Sequence, residues 1–204
     1  YAGAFVTDFP EVTESVRIFN FTGNNQNFLL RIGDKVFEET RVLASDSNFF
    51  RVFSSEFLQG DSATALMQPN SVVLNETTAK RYFGSAGAAM GQTFKTDANN
   101  NNVFKIAAVV ADWPQNSHFN FDLLISTTGF PFTRQVNFIN FSVYTYLLLR
   151  PGTSPGALEA KIPAFVKKYE AGPVERLFGQ NYDQFEKDGN GYRYYLQPLK
   201  KIHL

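Results

Sequence analysis

The stretch from Val103 to Ser126 constrains the fold more than any other part of the chain, because two apolar runs flank one polar corner, Asp112-Trp-Pro-Gln-Asn-Ser-His118. Ile106 to Val110 is a short, nearly continuous apolar run, the pattern of a strand covered on both faces. After the corner, Phe119, Phe121, Leu123 and Ile125 alternate with Asn120, Asp122 and Leu124, which predicts a half-buried strand. Trp113-Pro114 must end the first run. Proline donates no backbone hydrogen bond and pushes the residue before it into an extended conformation. The stretch therefore reads as strand, turn, strand.

Two further stretches carry motifs in a fixed order around this one. Upstream lie Val42-Leu-Ala-Ser-Asp-Ser-Asn-Phe-Phe-Arg-Val-Phe53, Phe57-Leu-Gln-Gly-Asp61 and Pro69-Asn-Ser-Val-Val-Leu-Asn-Glu-Thr-Thr-Ala-Lys-Arg-Tyr-Phe-Gly84. Downstream lie Tyr144-Thr-Tyr-Leu-Leu-Leu-Arg-Pro-Gly-Thr153, then Leu196-Gln-Pro-Leu199 and Ile202-His-Leu204. Together with the corner, which has the form Asp-x-Pro-x-Asn-Ser-His-x-x-Phe-Asp, they resemble the periplasmic core domain of MacB/FtsX-like ABC transporter permeases. The resemblance spans most of the chain, apart from Gly172 to Gly191.

That resemblance implies an α+β fold of two lobes. A Porter-like split βαβ lobe near the membrane would be formed by both chain ends, residues 1–20 and 141–204. A Sabre-like distal lobe of small strands and short helices, residues 21–140, would be inserted between them. It also implies a transmembrane helix before Tyr1, three after Leu204, and a first strand of the fold lying outside the sequence given. The intact permease would be a homodimer driven by a cytoplasmic ATPase, with a periplasmic adaptor or other envelope protein as a further partner. Its periplasmic domain would pass on the motor's movement without a cofactor, in the inner membrane of a Gram-negative bacterium. The rival expectation is a secreted or surface module that binds a glycan or peptide on an aromatic face, which 16% aromatic residues would suit.

Composition narrows the classes independently. With 204 residues and 44% hydrophobic content, including 22 Phe and 9 Tyr, the chain has ample material for one large domain or two small lobes. Its 19 basic and 19 acidic residues cancel, so charge gives no support to nucleic-acid or anionic-membrane binding, which need a basic stripe. The absence of cysteine removes disulfides and thiolate chemistry. The longest apolar runs fall far short of the ~20 residues that cross a bilayer.

Local signals place the remaining elements. Phe5 to Phe19 predicts a short helix broken at Pro10 and then a strand from Val16. Gly33-Asp34 predicts a type II′ turn between strands Phe28–Ile32 and Lys35–Leu43. A short helix bearing Phe49, Phe50 and Phe53 should be capped by Ser45 or Ser47. Asn75 should cap a helix that Gly84 closes. Thr93–Thr96 and Val103–Val110 form a hairpin with Asp97 to Asn102 at its tip, and Thr127 to Phe132 reads as a crossing between lobes. Ser142 to Arg150 predicts a strand apolar on both faces, in a sheet separate from Ile106–Val110. Ser154 opens a helix with Leu158, Ile162, Phe165, Val166 and Tyr169 on one stripe, kinked or broken at Pro163. Tyr192 to Gln197 predicts a final strand.

Enzyme motifs are absent from the sequence: there is no Gly-x-Ser-x-Gly elbow, phosphate-binding glycine loop or His-Glu-x-x-His helix. Asp112 and His118 form a carboxylate and imidazole pair close in sequence, with no third convergent group identified to complete a catalytic or zinc site. Asp112, Trp113, Pro114, His118, Phe121 and Asp122 are thus expected to brace the corner structurally. The tip Asp97–Asn102 lacks the glycine and the terminal glutamate of a calcium loop and reads as a solvated hairpin tip, and Asp188-Gly-Asn-Gly191 reads as a turn. Phe130, Phe132 and Phe138 are the weak candidates for a partner contact, with burial at the lobe junction as the alternative.

Overall fold

The computed structural model describes residues 2–22, 27–96, 102–114, 117, 120–134 and 143–202. Helix α1 (Ala2–Asp8) stops just before Phe9-Pro10, and the chain enters the long strand β1 (Val12–Asn20). Strands β2 (Phe28–Ile32) and β3 (Lys35–Glu39) form the expected hairpin. Its turn has Gly33 at a φ of 57° and no positive φ at Asp34, as a type II′ turn requires. The strand expected to run on to Leu43 breaks at Thr40-Arg41, and β4 (Val42–Ser45) leaves the hairpin for other partners. Helix α2 (Phe49–Val52) and β5 (Phe57–Gln59) follow, then β6 (Ser71–Asn75). Helix α2 is entered at Asn48 rather than at a serine, because the Ser45 hydroxyl donates instead to the Arg17 carbonyl at 2.8 Å.

Helix α3 (Glu76–Phe83) has the caps the sequence announces: the Asn75 side chain accepts from the Thr78 N–H, and Gly84 at φ 85° ends it. After the short α4 (Ala86–Ala89) come β7 (Thr93–Thr96), β8 (Val103–Val110) and β9 (Leu123–Ser126). Two tight turns at Thr127–Gly129 and Pro131–Arg134 precede β10 (Tyr144–Leu149). The Ser154 helix breaks rather than kinks: α5 (Pro155–Glu159) ends and α6 (Ile162–Phe178) restarts with Pro163 in its first turn, where a missing N–H costs no helical bond. Helix α7 (Tyr182–Lys187) closes the set of helices. No helix among the described residues is long and apolar enough to cross a membrane.

One mixed sheet collects all ten strands in the order β10-β1-β4-β9-β6-β8-β7-β2-β3, with β5 added alongside β8. The pairs β4–β9 and β6–β8 are parallel, and the other pairs are antiparallel. This corrects the expectation that Ser142–Arg150 and Ile106–Val110 lie in separate sheets. Strand β1 bridges them, pairing with β10 along one edge and with β4 along the other.

Side-chain alternation divides the centre of the sheet between two cores. Val72, Leu74, Leu123 and Ile125 face one cluster, which takes in Ala79 and Ala89 of α3 and α4. Val73, Leu124 and Ala108 face the other, under Phe49 and Phe53. Strand β9 is consequently buried at every position instead of alternating inside and out, since a helix or turn covers each face. A third cluster joins the chain ends, with Phe5, Phe9 and Val12 packed against Leu158, Phe165, Val166 and Phe185.

Two expectations at that end need correction. Strand β10 lies at the sheet edge, so Leu147 and Leu149 pack into the third cluster while Tyr144 and Leu148 are exposed. Tyr192 to Gln197 is no strand. Tyr192, Tyr194 and Leu196 do turn inward onto the chain-end cluster while Arg193, Tyr195 and Gln197 face out, but the segment forms no ladder with any strand among the described residues. The Leu196 N–H is instead held by the Glu159 carboxylate at 2.9 Å.

Candidate functional site

The polar corner is built around the N-terminus of α3. Asp112 accepts from the Thr77 N–H at 3.0 Å and from its hydroxyl at 2.5 Å, so it caps the first turn of α3 alongside Asn75. Ten residues on, Asp122 accepts a forked pair of bonds from the Arg41 guanidinium at 3.0 and 2.6 Å and a third from the Asn75 amide at 3.2 Å. The backbone completes the bracket, since the Asp122 N–H donates to the Arg41 carbonyl and the Asn75 N–H to the Asp122 carbonyl. Trp113 stands 5.8 Å from the Phe121 ring and 6.2 Å from Phe49. Phe121 itself is fully buried. Pro114 is exposed and accepts from the Ser117 N–H at 2.8 Å. His118 lies outside the described residues.

A second ionic group sits on the neighbouring turn of α3. Glu39, only 2% exposed, accepts two bonds from Arg81 at 2.7 Å and a third from the Tyr82 hydroxyl. Burial opposes the charge on Arg81, but the carboxylate more than offsets it and holds the guanidinium protonated. Burial, together with the adjoining carboxylate, pushes the Tyr82 phenol far above its ordinary value. Each of these two acids accepts three hydrogen bonds from protein donors. They hold β3, β4, β6 and α3 in register.

Arg17 forms the third such node, and its reach is the longest. Its guanidinium grips Asp46 at 2.9 and 2.8 Å and also donates to the Thr133 carbonyl at 2.9 Å, while the Thr127 hydroxyl donates to Asp46 at 3.0 Å. One ion pair thereby fastens β1, the entry to α2 and the two turns after β9. None of these three partnerships was found by reading the sequence, because the residues joined lie 29, 42 and 81 positions apart.

Among the aromatic partner candidates, Phe130 is half-buried, its ring edge-on to Phe21 at 5.4 Å and packed against the first core. The Phe132 side chain and all of Phe138 lie outside the described residues, as does the tip from Asp97 to Asn101. The turn at Asp188–Gly191 closes α7, with Gly189 at φ 83°. A recess of about 510 Å³ opens beside β5, lined by Phe50, Ser54, Ser55, Phe57, Gly60, Asp61 and Ser62. It offers hydroxyls and one carboxylate, which already accepts from the Ala63 N–H, with no base beside a nucleophile among the described residues. The three ionic groups brace the described strands and α3 against one another.

Known proteins place that frame. A domain described as belonging to a permease of Porphyromonas gingivalis superposes with a TM-score of 0.70 at 23% identity, over 82% of this chain and 75% of that one. The periplasmic region of MacB from Actinobacillus actinomycetemcomitans superposes with a TM-score of 0.57 at 14% identity, over 95% of this chain and 82% of the other. At such identities the likeness speaks for the fold. No curated protein sequence matches the chain. The family model for the MacB-like periplasmic core domain does match, over residues 2–165. The chain therefore belongs to the MacB-like periplasmic core domain family, an extracytoplasmic domain of ABC transporter permeases and not a catalytic family.

Proposed function

We propose that this domain transmits movement from an ATPase-driven permease to an envelope partner or an exported substrate, and that it is itself catalytically silent. The observation that carries the reading is the continuity of the sheet through β1. This strand packs at one end into the chain-end cluster and at the other hydrogen-bonds to β4, with Arg17 tying it to Asp46 and Thr133. A push on the chain ends is then borne by backbone ladders and part-buried ion pairs rather than by a hinge. Moving a two-state assembly from 1:99 to 99:1 needs about 5.5 kcal/mol of differential free energy, within the reach of ATP binding and hydrolysis.

In this reading residues 1–20 and 141–204 act as the membrane-proximal lobe and residues 21–140 as the distal one. The separate chain-end cluster supports that division, with β1 as the beam between the two. The intact protein is read as a homodimer in the inner membrane of a Gram-negative bacterium, served by a cytoplasmic ATPase and a periplasmic adaptor. Asp112, Trp113, Pro114, Phe121 and Asp122 are its structural corner.

The test is a cysteine pair placed across the periplasmic face of the dimeric full-length permease, which this domain permits because it has no cysteine of its own. Oxidation should arrest transport or partner activation. If output continues unchanged while the cross-link is complete and ATP is hydrolysed normally, relative movement of these domains is not the function.

A further inference from the structure

The recess beside β5 rests on a stretch of chain that the backbone fixes at several points. The Ala111 N–H donates to the Glu56 carbonyl at 2.9 Å, and β5 pairs with β8 from Phe57 to Gln59. Gly60 is then pressed against β8, where a Cβ would sit 2.7 Å from atoms of Ala107 and Ala108. The Asp61 carbonyl accepts from the Thr64 and Ala65 N–H groups at 3.2 and 2.9 Å, which anchors the turn that follows. Asp61 therefore has a fixed base, although its side chain is exposed.

Three features of the lining suit the same ligand chemistry. Asp61 is its only charged residue. One carboxylate oxygen, Oδ1, accepts from the Ala63 N–H at 3.0 Å, and Oδ2 has no protein donor among the described residues. Phe50 and Phe57, both half-buried and edge-on to each other at 4.7 Å, line the same recess with aromatic carbon. The hydroxyl oxygen of Ser55, a third lining residue, is enclosed without a hydrogen-bond partner among the described residues, a condition that costs free energy until a partner is supplied. A carboxylate, two phenyl rings and a spare hydroxyl match a group that combines positive charge, several N–H donors and an apolar stem. The same carboxylate repels anions. At about 510 Å³ the recess falls within the ~300 to 1,000 Å³ typical of small-ligand sites.

We propose that this recess binds a primary ammonium group on an aliphatic stem, of the kind carried by a lysine side chain of a partner protein or by a free alkylamine. The ammonium would donate to Asp61 Oδ2 and, after rotation about χ1 of Ser55, to that hydroxyl oxygen. The stem would lie against Phe50 and Phe57. Because Asp61 is exposed, binding weakens as salt rises. The site would fill whether or not the domain transmits movement, so arrest of transport by a cross-link and occupancy of the recess are independent results.

The experiment records amide spectra of this chain during titration with hexylammonium chloride, with hexan-1-ol and sodium hexanoate as comparisons of the same stem length. Saturable shifts centred on Phe57 to Ser62 are expected, with the alcohol and the carboxylate at least about tenfold weaker. Asp61→Asn keeps an acceptor for the Ala63 N–H, so the turn is retained, and should weaken hexylammonium about tenfold. Ser55→Ala should weaken it about threefold while the melting temperature stays level or rises, since the change deletes a polar atom that has no partner. Acetyl-Gly-Lys-Gly-amide separates the two sources: tighter binding than hexylammonium identifies a partner's lysine, and weaker binding a free amine. The proposal falls if hexan-1-ol binds as well as hexylammonium, if Asp61→Asn binds as the parent does, if the shifts lie elsewhere, or if neither amine gives a saturable shift.

Discussion

Glu170 offers the sharpest test of the energetics, because it is a carboxylic acid fully enclosed in the chain-end cluster. It lies on α6 with no exposed surface, and its carboxyl accepts from the Tyr194 hydroxyl at 3.3 Å. Burial pushes its pKa up from 4.5 to about 7, opposed only in part by that hydrogen bond. In the unfolded chain the acid ionises near 4.5, whereas the folded protein keeps its proton until about 7. Glu170 therefore costs little below pH 4.5, a rising amount between the two values, and a constant amount above the upper one. At about 1.4 kcal/mol per pH unit the full cost is about 3 kcal/mol.

Glu170→Gln keeps the shape and an acceptor for Tyr194 but cannot ionise. The amide must find a donor partner of its own, so its absolute stability can fall on either side of the parent at low pH. The difference between the two proteins is the diagnostic quantity, since every other titrating group cancels from it. Relative to the parent, the variant should gain about 2.5 kcal/mol between pH 5 and pH 8. Urea unfolding followed by circular dichroism at both values measures this. A difference between variant and parent that stays constant with pH would show that Glu170 is not held neutral, and that the burial argument is wrong.

Two other substitutions probe the sheet. Gly60 has a φ of 86°, and a Cβ there would sit 2.7 Å from both the Ala107 carbonyl oxygen and the Ala108 Cβ, so Gly60→Ala should lose at least about 2 kcal/mol in a thermal or urea melt. An unshifted melt would contradict that close packing of β5 on β8. Asn75→Ala removes both the α3 cap and the donor to Asp122, and should cost about 1 to 2 kcal/mol in the same assay. A loss below half a kcal/mol would mean the cap is replaced by water or by Asp112 alone.

What could be read from the sequence depended on how far apart the cooperating residues lie. The α3 caps, the Gly33 turn and the break before Pro163 involve residues within a few positions of each other, and each formed where its chemistry placed it. Ser45 was misjudged as a cap because its actual acceptor, the Arg17 carbonyl, belongs to a distant strand. Tyr192–Gln197 has the alternation of a strand and uses it, yet a ladder needs a neighbouring edge that no pattern within the segment can reveal. The opposite error at β9 has the same origin: its alternating sequence said nothing of a second layer covering the other face. Within the corner, Asp112 and Asp122 could be singled out by motif, but their partners Thr77 and Arg41 could not.

The seam between β1 and β10 sets an order of events for the nascent chain. It faces Val12 with Leu149, so β1 must wait until Leu149 has been made before this edge is closed. The hairpins β2–β3 and β7–β8 need no such wait and can assemble early, because closing a short loop sacrifices less chain freedom. Until β10 arrives, β1 presents an open row of backbone donors and acceptors to any other extended chain nearby. That interval, rather than the finished domain, is when this protein is most exposed to misassembly.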